Sequence, residues 1–529
     1  MSDRMFDSKL PSSDAQGEEK FKKGDYSVHI YIEESKGLLP TTDDRSFNPV
    51  ISVKCFDKSK CTRKLKDITT GATTIWGEHL YFSKLSCTVN ELESSKILIE
   101  VLDSKSFKNN LIGSYELDFT YIYFQPKHSI IHQWIILSNP YSEDITVQRG
   151  LIKVGVNVMH ESDKGEDLTV KGVSDSLIIP PQVSVKSMQL VIRVLQAANL
   201  PKMDSGGTCD AYCVATFATT KNKSRVYTTD KATMSAFWFQ ELWIPVCQPS
   251  ISNKINFTLW DSDTFGEDEL IGSLNFQWEK IPYQKEALLD PTKAYFWANV
   301  YGAPEGINNE KAVEMNYNQK LASHWRGRVL MCLFKSEIDK ALLKTVCIDT
   351  EENRRLVQEV YEVEDVKILL NVQVLEAVNL PNKTGHYSVS VKFSGIEMLS
   401  KPSEAAKGCC KWYENISRRT VDIPNGAILP DVFIYLMYDK QPICFARVKQ
   451  SELSNPKPKE TWLKLTPDSA IGKVNNVWEG GYLLVRVFIG KMDEPGYDKK
   501  FWDAKLDYAQ KFTNKTPIIT FLLIILSKI

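Results

Sequence analysis

Apolar and polar residues alternate along three separate stretches of this chain. Residues 26–40 read YSVHIYIEESKGLLP, 188–201 read MQLVIRVLQAANLP, and 366–381 read VKILLNVQVLEAVNLP. A period of two marks a strand with one buried face. Each stretch stops at Leu-Pro, where proline removes a ladder donor and turns the chain away. The ends of the three units also rhyme. Trp134-Ile-Ile-Leu137 precedes Gly150-Leu-Ile-Lys-Val-Gly-Val156, Trp462-Leu-Lys-Leu465 precedes Gly481-Tyr-Leu-Leu-Val-Arg-Val487, and Phe296-Trp297 precedes Gly327-Arg-Val-Leu-Met-Cys-Leu333. Short β-rich runs with turn residues between them fill the intervals, as in residues 97–102 and 254–260. This spacing predicts antiparallel β-sandwiches.

A repeat sets the architecture before any local detail does. The pattern predicts a mainly β protein of three antiparallel sandwiches in series. A polar tail (1–24) leads into a first sandwich (25–160), a linker (161–187) with Pro180-Pro181, and a second sandwich (188–336) carrying an insertion (301–323) without clear periodicity. Residues 337–365 space Leu342, Leu343, Val346, Leu356 and Val360 at helical intervals, so a helical linker is expected before the third sandwich (366–490) and a tail (491–529).

Composition narrows the setting. At 529 residues the chain is too long for one core, and its 65 basic and 66 acidic side chains cancel, which argues against a nucleic-acid or other general polyanion binder. Eleven cysteines, an odd number at irregular spacing, and a charged N-terminus point to the cytoplasm with reduced thiols. The last apolar run, IITFLLIIL at 518–526, would form a helix of about 20 Å even if extended to Ile529, against a hydrocarbon core of about 30 Å. A buried or amphipathic tail and the start of a C-terminal membrane anchor are both open readings of it.

Chemistry concentrates in the second unit. After Leu200-Pro201 comes Lys-Met203-Asp204-Ser-Gly-Gly-Thr-Cys-Asp210, and a later strand ends in Trp260-Asp261-Ser-Asp263-Thr-Phe265-Gly-Glu-Asp268-Glu269-Leu-Ile-Gly272. This combination resembles the C2 domain. The resemblance implies a calcium-binding cup at Asp204, Asp210, Asp261, Asp263 and Glu269, with Asp268 able to stand in for Glu269 where an aspartate is usual. Carboxylates converging from two loops repel one another and raise each other's pKa. Calcium, which takes six to eight oxygen ligands in flexible geometry, relieves that repulsion. A solvated acidic loop pair is the alternative reading.

The same loops carry Met203 and Phe265, and burying a side chain such as Phe265 in lipid is worth about 1.5–3 kcal/mol. Lys221, Lys223 and Arg225 alternate, which in a strand places three cations on one face, each worth about 1 kcal/mol beside anionic lipid. The first unit has Asn48, Lys105 and Asn110 at acidic positions, so weak or absent calcium binding is expected there. A run of Lys54, Lys58, Lys60, Arg63, Lys64 and Lys66 lies near those loops. The third unit offers only Asp439.

Asn299-Val-Tyr-Gly-Ala-Pro304, Trp325-Arg-Gly-Arg-Val-Leu330 and Tyr121-Ile-Tyr-Phe-Gln-Pro-Lys-His128 resemble ferlins, the multi-C2 proteins of vesicle fusion and membrane repair. The resemblance covers about residues 24–490, the extent of a ferlin's N-terminal part or of a short ferlin-like relative. It implies a calcium-dependent, peripheral membrane protein whose partners are anionic phospholipid membranes and trafficking or fusion proteins, in exocytosis or related traffic. A calcium-independent multi-C2 scaffold is the alternative. His128 and His132 lack the glutamate of a zinc-protease arrangement, and the chain has no phosphate-cradling glycine loop and no nucleophile elbow. Neither an enzyme nor a small-molecule binder is expected.

Overall fold

The computed structural model describes residues 21–506, apart from 41–44, 105–108, 140–147, 170–185, 205, 219, 249–251, 264–265, 362–364, 425, 454–457, 473–477, 479, 492, 496 and 504–505. The predicted Pro180-Pro181 tether, Lys105, Phe265 and the apolar run 518–526 lie outside the described residues.

Three sandwiches share one topology. In each, the alternating Leu-Pro strand is central. Gly24–Lys36 lies between Thr74–Cys87 and Leu151–His160, Lys186–Ala198 between Ala236–Gln248 and His324–Glu337, and Asp365–Val378 between Cys410–Pro424 and Gly481–Lys491, all antiparallel. The facing sheets are built on Pro49–Cys55 with Lys96–Asp103, on Asp210–Phe217 with Lys254–Asp261, and on Gly385–Phe393 with Val432–Tyr438. Inward residues form a separate buried cluster in each sandwich, around Trp76, Trp238 and Tyr387. Separate cores are what three domains require.

The glycine that recurs at 150, 327 and 481 has a steric cause. At Gly327, with φ of +103°, a Cβ would lie 2.7 Å from the Asn199 carbonyl oxygen, and at Gly481 it would lie 2.8 Å from that of Asn379. The end of the Leu-Pro strand passes so close that only glycine fits.

Several boundaries read from the sequence move. Residues 337–365 are not purely a helical linker, because Lys344–Cys347 pairs with residues 240–243 as the fifth strand of one sheet of the second sandwich. The helix Glu351–Leu356 and the turn Val357–Tyr361 follow, and Val357 and Tyr361 are buried against that sandwich. Four residues are too few to show a period. The N-terminal tail also contributes, since Phe21 is buried and stacks on Tyr123 at 4.7 Å. Likewise Trp502, beyond the expected end of the third sandwich, is fully buried beside Leu369 and Phe488. Leu168 packs on Gly155, so the start of the first linker belongs to the first sandwich.

The sandwiches are docked to one another. Ser252 donates its backbone N–H to the Tyr115 hydroxyl at 3.0 Å and its Oγ–H to the Glu116 carbonyl at 3.0 Å, joining the first and second. Tyr301, Ala322, Phe433, Tyr435 and Phe445 form a buried cluster between the second and third. Arg328, 1% exposed, reaches across that junction to Ser394 Oγ at 2.9 Å and lies over the Trp325 ring.

Candidate metal centre

Two loops at one end of the second sandwich converge because the strands leading into them are paired in register. Asp261 ends its strand opposite both Ala211 and Glu269. Its Oδ1 accepts the Asp210 backbone N–H at 2.6 Å, and the Ser262 N–H donates to the Asp210 carbonyl at 2.9 Å. The first loop is folded on itself. The backbone N–H groups of Met203 and Asp204 donate to the Thr208 carbonyl, and Gly207, at φ +79°, closes the turn on the Asp204 carbonyl.

The product is a triangle of carboxylates. Asp204, Asp261 and Asp263 each present an oxygen within 4.8 Å of the others. Asp210 stands outside this triangle, yet its Oδ1 is buried without a hydrogen-bond partner. A buried carboxylate oxygen left unpaired is costly unless something coordinates it. Burial, chiefly, with the charges of Asp204 and Asp263, pushes the Asp261 carboxyl up to about 6. The neighbouring Cys209 thiol is pushed up by burial and by Asp261. An oxygen-only, carboxylate-rich donor set suits a hard cation such as calcium, which takes such ligands in flexible geometry.

The remaining acidic residues have other partners. Asp268 Oδ1 accepts the Asp263 N–H at 3.1 Å and its Oδ2 accepts the Tyr212 hydroxyl at 2.6 Å, so it braces the loop that carries Asp261 and Asp263. Glu269 Oε1 accepts the Asn308 Nδ2–H at 2.6 Å, on the insertion.

Sequence reasoning missed Arg326. It is 4% exposed, donates Nη2 to Met203 Sδ at 3.2 Å, and leaves Nε and Nη1 without partners. Burial pushes its pKa down, while Glu305, Cys209 and Glu269 pull it back up. A fixed cation beneath the loops offsets their negative charge. The Trp325-Arg-Gly-Arg phrase was the available signal, but an arginine opening a strand reads as a solvated charge.

Among the expected membrane contacts, Met203 is half-buried against the core and holds Arg326, so it is not a free tip. Phe265 lies outside the described residues. Lys221 and Lys223 are exposed on the strand Thr220–Lys223, and Arg225, also exposed, follows its end with Nη2 on the Phe237 carbonyl at 3.3 Å. Lys223 stands over the Tyr212 ring, Tyr212 stacks on Trp260, and Trp260 meets Tyr317 edge-on. This cationic and aromatic face adjoins the loops.

The other modules show how a cup is lost. In the first, Asp103 Oδ1 accepts the Asn48 N–H at 2.9 Å, the bond that Asp261 makes with Asp210 in the second, so Asn48 stands in the aspartate's place without its charge. In the third, the corresponding loop has shrunk to Asp439 and Lys440, both at positive φ between paired Tyr438 and Gln441. A two-residue hairpin turn has no room for converging ligands.

A family profile described as the C2 domain matches residues 26–137 and 188–296. Myoferlin of Xenopus tropicalis is 22% identical over 385 residues, which covers 64% of this chain and 19% of that protein. Myoferlin of Mus musculus is 22% identical over 345 residues, covering 59% of this chain and 16% of that protein. The chain thus spans about a fifth or less of the length of these relatives. The paired C2 domains of extended-synaptotagmin 2 align to 63% of this chain and 97% of that structure at 13% identity, with a TM-score of 0.21, a likeness too distant to bear on function.

Proposed function

For a chain that is a ferlin-like multi-C2 protein, we propose calcium-dependent binding to anionic phospholipid membranes, serving membrane tethering, vesicle trafficking or fusion. The observation that carries this reading is the triangle of Asp204, Asp261 and Asp263 oxygens within 4.8 Å beside the orphaned Asp210 Oδ1. Asp204, Asp210, Asp261 and Asp263 are the residues that would hold the ion. Calcium bound there would supply positive charge at the loop ends, where lipid phosphates gather.

The chain's own residues do the rest. The pairing of Asp261 with Asp210 and the folded first loop fix the donors before any ligand arrives. Arg326, buried beneath the first loop, donates to Met203 and is drawn electrostatically to Glu305, Cys209 and Glu269. Lys221, Lys223 and Arg225 extend a cationic surface beside the loops, each worth about 1 kcal/mol near an anionic leaflet. The protein acts as a binder at the cytoplasmic face of a membrane, with trafficking or fusion proteins as further partners, and not as an enzyme.

Sedimentation with anionic vesicles tests this. Binding is expected in calcium, is expected to fall away in chelator, and is expected to be lost in Asp261→Asn with Asp263→Asn. A second reading, a calcium-independent scaffold, is favoured by the shrunken third-module loop and the docked sandwiches. Vesicle binding unchanged by calcium and by both substitutions would establish that reading instead.

A further inference from the structure

The insertion between the second module's strands Phe296–Gly302 and His324–Glu337 is more than a surface loop. Asn309 caps the helix Glu310–Tyr317 by accepting the Ala312 N–H at 2.9 Å, and Asn316 ties that helix down, donating Nδ2 to the Leu270 carbonyl at 2.6 Å and accepting the Ala303 N–H at 2.7 Å. Ser273 Oγ donates to the Tyr317 carbonyl at 2.6 Å. The helix therefore rides on Glu269–Gln277, the strand that begins with a candidate calcium ligand.

Its other contacts leave the module. Towards the first sandwich, Lys320 Nζ pairs with Glu93 Oε1 at 3.3 Å and Asn318 Nδ2 donates to Glu93 Oε2 at 3.2 Å. Towards the third, Asn309 Nδ2 donates to the Ala470 carbonyl at 3.0 Å, and Ala303, Ala312, Met315 and Ala470 share a small buried cluster. One segment thus touches all three modules. Its Asn308 also grips the Glu269 carboxylate, which lies outside the triangle of Asp204, Asp261 and Asp263.

We propose that Asn308 is a positioning residue that holds Glu269 away from the cup, so that Glu269 must release the insertion in order to ligate, and that this exchange couples calcium occupancy to the docking of the first and third modules. The inference rests on the calcium reading above. Asn308 occupies Glu269 Oε1, so a cation that takes both oxygens of the carboxylate displaces the amide donor. Freed of Glu269, the helix keeps its bonds to Leu270 and Ser273 but loses the tie just ahead of its N-cap, so it frays more readily from that end.

The test uses the full chain, titrated with calcium by calorimetry and followed by amide hydrogen exchange over residues 309–318. Asn308 is exposed, so Asn308→Ala removes a bond and little packing. In the native chain, calcium is expected to speed exchange across 309–318 several-fold. Asn308→Ala is expected to exchange that fast without calcium and to bind calcium about five- to tenfold more tightly, the factor that a charge-assisted hydrogen bond of modest strength represents. Asn308→Asp, which sets a second carboxylate against Glu269, is expected to show the same early exchange. If calcium binds the native chain and Asn308→Ala equally well and exchange across 309–318 does not change, the coupling is overturned while the site stands. If neither chain binds calcium, the site itself fails and the coupling with it.

Discussion

Replacing Asp261 by asparagine should make the calcium-free protein more stable at neutral pH, although it removes a ligand. Asp261 is 1% exposed, and its carboxyl is held at about 6 against an ordinary value of 3.8. A folded-state pKa above the unfolded value means that the folded state binds the proton more tightly. The deficit is therefore absent below 3.8, grows as pH rises from 3.8 to 6, and is complete above 6. Two pH units at about 1.4 kcal/mol each set a ceiling of about 3 kcal/mol, and relaxation of the loops brings the expectation to about 1–2 kcal/mol. Asparagine keeps an oxygen to accept the Asp210 N–H, so the fold of the loop survives. Because the chain has three cores, the readout must be local, and hydrogen exchange of the strand Lys254–Asp261 in chelator, corrected for intrinsic rates, supplies it. Protection in Asp261→Asn should exceed that of the native chain about tenfold at pH 7.5 and equal it near pH 4. A variant less protected at pH 7.5, or a difference that does not change with pH, would refute the electrostatic account of the cup.

Other outcomes follow from the same geometry. Lys221→Ala with Lys223→Ala should weaken sedimentation with anionic vesicles by about fivefold for each charge, with a shallower salt dependence, and leave calcium binding alone. Gly327→Ala forces a Cβ to within 2.7 Å of a backbone oxygen at φ +103°, so thermal unfolding of the second module should come at lower temperature by the equivalent of about 1–3 kcal/mol. Trp502→Ala should cost the third module about 3–5 kcal/mol and expose its core to limited proteolysis, despite lying outside the repeat.

The strands and their order were legible because alternation over ten or more residues admits one face to a core, and the repeat supplied the register three times over. The aspartates were picked out because their two loops resemble those of the C2 domain, and the structure brings oxygens of three of them, Asp204, Asp261 and Asp263, within 4.8 Å of one another. Glu269 was legible as a carboxylate, but its bond to Asn308 was not, since the partner comes from an insertion without periodicity. Arg326 was hidden for a different reason. Nothing local distinguishes a buried guanidinium from a solvated one, and its burial depends on Met203 and on the loops packed over it. Phe21 and Trp502 are single aromatics in polar segments, too isolated to form a pattern. The strand Lys344–Cys347 exists because the second sandwich leaves an edge open to it, a tertiary cause that no four-residue window contains.

The central claim is that the second module's acidic loops form a calcium site, and calorimetric titration of the full chain with calcium addresses it most directly. Saturable binding is expected, with the affinity falling as pH drops through about 6 while Asp261 takes up its proton, and with the heat abolished in Asp261→Asn with Asp263→Asn. Absence of saturable heat in the native chain at pH 7.5, or an isotherm that the double substitution leaves intact, would contradict it.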